Sequence, residues 1–181
     1  MFEDTIVKKF IEALFMNFEF SEDQRLLKDQ ARKFLSGEES IKKARAVLEG
    51  DQKFDEQLWK SIIDMGWTAT TIPENYQGLG LGHLELCVIA EELGRSLAPT
   101  PFSSSVYLAT ETINKFGSKN QKETFLPKLA SGEIVGTLAH TELTSAPTPN
   151  NIQCKFKGNT LSGKKNCRPR WGHCRHCNSI S

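Results

Sequence analysis

The chain has 181 residues, of which 38% are hydrophobic and 25% are charged, and its formal net charge is +1. This length and composition are typical of a globular protein with one ordinary domain, and no apolar run approaches the roughly 20 residues that cross a bilayer. The N-terminal segment, residues 1–15, is interrupted by the charges of Glu3, Asp4, Lys8, Lys9 and Glu12. It therefore lacks the apolar core of a secretory signal, and we expect a cytoplasmic protein without a membrane partner.

Helical signals dominate the chain as far as Gly132. Ser21 and Gln24 have the spacing of a capping box, and apolar residues then recur at helical spacing from Leu27 to Leu35. This pattern predicts an amphipathic helix. A second helix is predicted over residues 55–65, with Gly66 as its C-terminal stop.

Residues 71–82 (TIPENYQGLGLG) are rich in glycine and proline and predict a loop. A phosphate-binding loop is disfavoured, because no Lys-Ser/Thr pair follows the glycines and no convincing strand precedes them. Residues 83–95 are apolar around most of a helical circumference, which predicts a helix buried between neighbours. Within that helix we expect Glu91 and Glu92 to occupy either a solvated edge or a buried ion pair.

Further helices are predicted over residues 102–116 and 120–130, with Pro127 breaking or restarting the second. After Gly132 the pattern changes. Residues 134–140 (IVGTLAH) predict a strand, and the alternation at residues 152–156 predicts a half-buried strand. Residues 157–159 would then turn the chain into a further strand. Helices followed by hairpins indicate a mainly α chain that ends in β structure.

Five segments resemble, in order and at family spacing, the acyl-CoA dehydrogenase family: residues 21–35, 58–82, 85–101, 116–142 and 158–165. The resemblance runs from Asn17 to Lys165. It implies the family's N-terminal helical bundle domain over residues 16–132 and the first strands of an incomplete middle β-domain over residues 133–166. Residues 1–15 would be either an upstream extension or a surface amphipathic helix.

The resemblance also implies an activity. Members of this family hold FAD and oxidise an acyl-CoA thioester: a carboxylate takes the α proton while the β hydrogen leaves as hydride to the flavin. The family's catalytic glutamate lies in a C-terminal domain, so we expect no catalytic residue in this chain, which would be a truncated, inactive product unable to hold FAD alone. Implied partners are an acyl-CoA substrate, an electron-transfer acceptor and other subunits of a homo- or hetero-oligomer, with no nucleic acid. The alternative is a non-catalytic partner subunit or interaction module.

The resemblance places candidate flavin contacts at Leu138, His140 and Thr141. The family's flavin-site motif continues with Gly-Ser-Asp, where residues 146–148 are Ala-Pro-Thr. Pro147 has no backbone N–H to donate, which weakens the match and leaves an ordinary strand end as an alternative.

Candidate substrate contacts come from the helix at residues 101–108, which corresponds by position to a wall of the family's acyl-chain pocket. Ser104 and Leu108 are the nearest residues to the acyl chain on this alignment. For Leu108 we expect packing in the core to be the main role.

Residues 167–181 concentrate cysteine, histidine and positive charge. The longer stretch 143–181 contains seven of the 23 basic residues and none of the 22 acidic ones. Three explanations stay open for residues 167–181: an out-of-frame tail, a genuine unstructured tail, or a zinc site on Cys174 and Cys177. We favour the first and expect no bound metal. The codons for CRPRWGHCRHCN, read one base later, permit Val-Ala-Pro-Asp-Gly-Val, the kind of sequence that the family places after LSGKK.

Overall fold

The computed structural model describes residues 19–36, 40–139, 142, 152–158 and 160–165. The helices are α1 (Glu22–Leu35), α2 (Ser40–Glu49), α3 (Glu56–Asp64), α4 (His83–Arg95), a π-helix (Ser103–Thr110), α5 (Glu111–Phe116) and α6 (Lys119–Ala130). Short 3-10 turns lie at Trp67–Ala69 and Glu74–Tyr76, and β1 (Lys155–Lys157) pairs antiparallel with β2 (Thr160–Ser162). The predicted mainly α fold is confirmed. None of these helices is long and apolar enough to cross a membrane.

Two helix starts follow directly from local side-chain chemistry. The Ser21 hydroxyl accepts from the Gln24 N–H at 3.2 Å while the Gln24 side chain accepts from the Ser21 N–H at 3.0 Å, which confirms the predicted capping box. Asp55 caps α3 by accepting from the Leu58 N–H at 2.9 Å. Gly66 follows the end of α3 and adopts the left-handed region at φ 74°. This conformation confirms its predicted role as a C-terminal helix stop.

Two helices differ from the sequence prediction. Helix α2 was not predicted, and Val47 is its one buried residue. Helix α6 continues through Pro127, so the predicted break there is wrong. Proline costs about 3 kcal/mol inside a helix, but buried side chains on both sides of it, Leu126 and Leu129, offset that loss.

The apolar core forms two clusters. The first joins α1, α3, α4 and the π-helix, and its largest members are Trp59, Trp67, Phe102, Ile62 and Ile89. The second lies beneath α6 and contains Ala69, Ile72, Leu126, Leu129 and Ala130. The π-helix belongs to the first cluster and α6 to the second. The residues that follow α6 contact both helices.

Helix α4 packs chiefly on α1. Leu86, Ile89 and Leu93 are buried, whereas Leu84 and Cys87 on the other side are exposed. Val88 is buried as well, so the predicted burial between neighbours is confirmed for most of the apolar positions and is wrong for Leu84 and Cys87. The uncovered face of α4 remains open to other contacts.

Residues 134–139 form no strand, which corrects the prediction for that segment. A strand needs a neighbour for its backbone hydrogen bonds, and the two strands among the described residues pair with each other. The segment lies instead across α6 and the π-helix. The Ile134 N–H donates to the Lys128 carbonyl, and the Gly136 N–H donates to the Ser105 hydroxyl, each at 3.3 Å.

The predicted hairpin is confirmed at residues 155–157 and 160–162, with Phe156 opposite Leu161. Its predicted half-burial is wrong for Ile152 and Phe156, which are 49% and 69% exposed, whereas Cys154 is partly buried. The proposed extension (residues 1–15) and tail (residues 167–181) lie outside the described residues.

Candidate functional site

Both candidate substrate residues lie on the π-helix. An eight-residue π-helix is rare, and short π segments are found frequently at functional sites. The Ser104 hydroxyl donates to the Pro101 carbonyl at 3.0 Å, so its proton is already used. Leu108 is 44% exposed, which makes the expected core role wrong and leaves its side chain free to contact another molecule.

The π-helix is fixed in the body of the protein by aromatic contacts. The Phe102 ring meets Trp59 edge-on at 6.5 Å and Tyr107 edge-on at 5.4 Å between centroids. Burial, with a smaller contribution from nearby Cys87, raises the pKa of Tyr107 to about 12. The phenol therefore stays protonated at physiological pH and can donate a hydrogen bond.

Sequence reasoning did not single out Tyr107. An aromatic residue inside a helix usually belongs to the core, and Tyr107 is indeed partly packed against it. Its closeness to Cys87 becomes visible only in three dimensions, because the two residues lie on different helices. Tyr107 thus lies near Cys87 of α4.

The candidate flavin segment, residues 136–141, begins at Gly136, which lies against this same helix. A Cβ atom added to Gly136 would lie 2.4 Å from the Ala109 Cβ, so only glycine permits so close an approach. Leu138 follows two residues later and is 41% exposed. The other two candidate flavin residues, His140 and Thr141, lie outside the described residues.

Glu142 follows the candidate flavin segment directly and holds the hairpin. Its carboxylate accepts from the Lys165 ammonium at 2.7 Å and from the backbone N–H groups of Gln153 at 2.7 Å and Cys154 at 3.0 Å. The hydrogen bond from Lys165, followed by the one from Gln153, lowers the pKa of Glu142 to about 2. The same contact raises the pKa of Lys165.

The two glutamates of α4 occupy the two environments that the sequence left open. Glu92 is fully buried and binds Arg32 of α1 at 2.8 Å and Arg95 at 2.6 Å. The hydrogen bond from Arg32 lowers the pKa of Glu92 despite its burial. Glu91 is solvent-exposed and pairs with Lys28 at 2.9 Å. These contacts fasten α4 to α1.

The glycine-rich loop is a turn, as predicted. The Gly80 N–H donates to the Ile72 carbonyl at 2.9 Å, and a Cβ at Gly78 would meet the same oxygen at 1.9 Å. In the part of the chain that the structure describes, no group of three or more His, Cys, Asp or Glu side chains could hold a metal ion. The cysteine-rich tail falls outside that part.

Comparison with known proteins gives a consistent result. Residues 21–133 match the model of the acyl-CoA dehydrogenase N-terminal domain. The chain is 32% identical over 154 residues to mitochondrial isovaleryl-CoA dehydrogenase of Oryza sativa subsp. japonica, covering 81% of this chain and 37% of that protein.

Two solved structures are also similar. The ChsE4-ChsE5 complex from Mycobacterium tuberculosis matches with a TM-score of 0.70 and 27% identity, over 83% of this chain and 41% of that one. The steroid ACAD Tcur3481-Tcur3483, in a variant form, matches with a TM-score of 0.68 and 30% identity, over 80% and 40%. The chain thus spans about two fifths of the length of these relatives.

Proposed function

This chain belongs to the acyl-CoA dehydrogenase family, and from this premise we propose that it forms the helical, acyl- and flavin-facing part of an enzyme that oxidises an acyl-CoA thioester with FAD. One observation carries the proposal. Gly136 lies against Ser105 and Ala109 of the π-helix, so the segment of Leu138 adjoins the helix of Ser104 and Leu108. Oxidation of an acyl chain by a flavin requires such neighbouring surfaces.

The chemical character of the candidate flavin residues suits the cofactor. Residues 137–139 belong to no helix and no sheet, and Leu138 presents an exposed apolar side chain. In the proposed site, Leu138 packs against the flavin ring system, and the backbone groups of His140 with the hydroxyl of Thr141 bind its polar edge. FAD, when bound, supplies the two-electron oxidation by accepting hydride.

The residues at the substrate side fit an acyl chain. Leu108 offers an exposed apolar side chain, and Tyr107 offers an aromatic ring with a protonated hydroxyl. The Ser104 hydroxyl donates its proton to the Pro101 carbonyl, so towards a ligand it offers only an acceptor oxygen. We propose that this surface binds the acyl part of the thioester and excludes water from it.

Two of the described carboxylates, Glu142 and Glu92, are unsuited to take the α proton. A general base works best when its pKa lies near the working pH. Glu142 has three donors and a pKa of about 2, and Glu92 has two arginines and a lowered pKa. We therefore propose that the catalytic carboxylate is supplied from outside the described residues and that this chain alone is inactive.

The proposed surroundings of the chain are an oligomer and a separate acceptor, to which the flavin passes its electrons. Two of the similar structures are themselves complexes of two named proteins. The cytoplasm is the proposed location of the protein.

The test of the flavin claim is a titration of the isotope-labelled chain with FAD, followed by NMR. We expect FAD to be lost during gel filtration, because one wall of a site holds it weakly. In the titration we expect the amide signals of Leu138, His140 and Thr141 to shift, while that of Leu48, exposed on α2, stays fixed. Shifts spread evenly over the chain, or none at Leu138, would contradict the proposal.

One observation favours a second candidate, a partner subunit that binds no flavin. Pro147 stands where the family motif has a residue that can donate a backbone N–H. For such a subunit, FAD would leave the Leu138 signal unchanged. The chain would instead co-purify with a separate flavin-binding member of the family, and the flavin absorbance would travel with that partner.

A further inference from the structure

We propose that a pocket at the junction of α1, α2, α3 and residues 96–99 binds a small anionic amphiphile, a carboxylate that carries an apolar chain of medium length. The pocket has a volume of about 300 Å³. None of its lining residues belongs to the proposed acyl and flavin surface. The inference therefore goes beyond the proposed function and does not depend on it.

Apolar side chains form most of the pocket wall. They come from the end of α1, from α3 and from the loop after α4: Phe34, Leu35, Leu58, Ala98 and Pro99. Phe34 is 40% exposed, so a ligand chain that covers it removes apolar surface from water, which favours binding. Small ligands commonly bind between the helices of a bundle, in pockets of about 300 Å³ or more. This pocket is at the lower end of that range and suits a chain of medium length.

One unpaired cation lies beside this apolar wall. Among the described residues that line the pocket, Lys43 of α2 is the only charged one, and it forms no ion pair within the described part of the chain. Ser40, one turn earlier, also lines the pocket, and its hydroxyl has no hydrogen-bond partner among those same residues. A carboxylate accepts hydrogen bonds from both an ammonium and a hydroxyl group. The pocket therefore complements an apolar chain that ends in a single negative charge.

The loop that forms one side of the pocket is fixed in place before any ligand binds. The Ala98 N–H donates to the Leu93 carbonyl at 3.0 Å, and the Pro99 carbonyl accepts from the Asp55 N–H at 2.9 Å. Between the lining residues of this loop, Leu97 has φ 53°, a strained conformation that persists only where the surroundings fix it. A wall that is already fixed loses little freedom on binding, which favours affinity.

Helix α2, on the other side of the pocket, is held less firmly. Val47 is its one buried residue, whereas Ile41 and Leu48 are 57% and 82% exposed. A ligand that contacts Lys43 of α2 and Leu58 of α3 together would add a link between this helix and the helical body. Segments with few buried apolar contacts open most easily. We therefore expect the ligand to slow amide hydrogen exchange in α2.

The test is a titration of the isotope-labelled full chain with octanoate, followed by NMR. We expect the amide signals of Leu58 and Ala98 to shift saturably, while those of Leu108 and Leu161 stay fixed. Octan-1-ol has the same chain without the charge and should bind about fivefold more weakly, the contribution of one exposed ion pair. Acetate has the charge without the chain and should give no saturable shift. Amide exchange in α2 is measured with and without octanoate.

Three variants examine the role of the lysine. Lys43→Met keeps an apolar stem of similar length and should weaken octanoate binding about fivefold, while octan-1-ol binding stays unchanged. Unchanged binding of the alcohol also shows that the variant still folds and keeps its pocket. Lys42→Met removes the neighbouring exposed lysine, which does not line the pocket, and should stay within about twofold of the parent chain. Lys43→Arg keeps the charge and should restore octanoate binding.

Four results would overturn the proposal. Octanoate shifts at Leu108 without shifts at Leu58 and Ala98 would place the amphiphile on the proposed acyl surface instead. Equal binding of octan-1-ol and octanoate would remove the role of the charge, and equal losses in Lys42→Met and Lys43→Met would show only general attraction to basic residues. If the signals of Leu58 and Ala98 change when the chain alone is concentrated and do not respond to octanoate, a second copy of the chain covers the pocket.

Discussion

The helical body and the hairpin differ in how their residues are held. In the body, residues 19–139, side chains such as Ile62 and Leu126 are completely buried, and the removal of apolar surface from water stabilises the fold. In the hairpin, residues 152–158 and 160–165, both strands are exposed, and the carboxylate of Glu142 accepts hydrogen bonds from three donors. The candidate flavin segment connects the two regions. Gly136, at its start, packs against the π-helix, and Glu142, after it, pairs with Lys165.

The largest expected effect on stability comes from a substitution in the helical body. Ile62→Ala removes three buried carbons from the first core cluster and should lower the free energy of unfolding by about 2–5 kcal/mol. Leu161→Ala, in β2, removes the same number from an exposed side chain and should change it by less than about 0.5 kcal/mol. Urea unfolding followed by circular dichroism measures both. Equal losses would mean that the hairpin is packed against the body.

A smaller effect is expected from the polar contact inside the body. Glu92→Gln leaves Arg32 and Arg95 without their carboxylate and should cost about 1–3 kcal/mol, since both arginines can still reach water. Glu91→Gln, which breaks the exposed pair with Lys28, is the matched control and should cost under about 0.5 kcal/mol.

The same pair of variants has a defined pH dependence. In the folded chain the pKa of Glu92 is lowered from its ordinary value of 4.5, so the unfolded chain takes up that proton first as the pH falls. The contribution of Glu92 is complete above the ordinary value and is lost as the pH falls through the lowered one. Unfolding measured from pH 7 downwards should show the gap between the parent chain and Glu92→Gln closing below about pH 4.5. A gap that widens in acid would refute this assignment.

The smallest expected effect concerns exposed leucines of the body. Leu97, 60% exposed, has φ 53°, in the left-handed region where a side chain costs about 1 kcal/mol. Leu97→Gly should therefore raise the free energy of unfolding by up to about 1 kcal/mol. Leu26→Gly, at a position 58% exposed within α1, should lower it by about 1 kcal/mol. Thermal unfolding would show opposite shifts, and a loss of stability in both variants would count against the strain at Leu97.

Features that depend on residues close together in the sequence could be predicted from it. Local chemistry determines the starts of α1 and α3, since Ser21 with Gln24 and Asp55 with Leu58 lie within three residues of each other. The hairpin turn at residue 158 is equally local. The five segments at family spacing identified the family, which the comparison confirms.

Contacts between distant parts of the chain could not be predicted from the sequence. The strand predicted at residues 134–140 depended on a partner strand, and the segment lies on the π-helix instead. Apolar periodicity cannot distinguish a π-helix from an α-helix over residues 103–110. The role of Glu142 depends on Lys165, 23 residues away, and the exposure of Leu108 depends on which elements cover the π-helix.

In the proposed function, the π-helix and the segment after Gly136 form a single surface for an acyl thioester. Titration of the labelled chain with a series of acyl-CoA thioesters, with free coenzyme A as the control, tests this directly by NMR. We expect the amides of Ser104, Leu108 and Leu138 to shift together with at least one acyl-CoA and to respond much less to coenzyme A alone. Shifts at only one of the two elements, or equal shifts with every acyl-CoA and with coenzyme A, would contradict it.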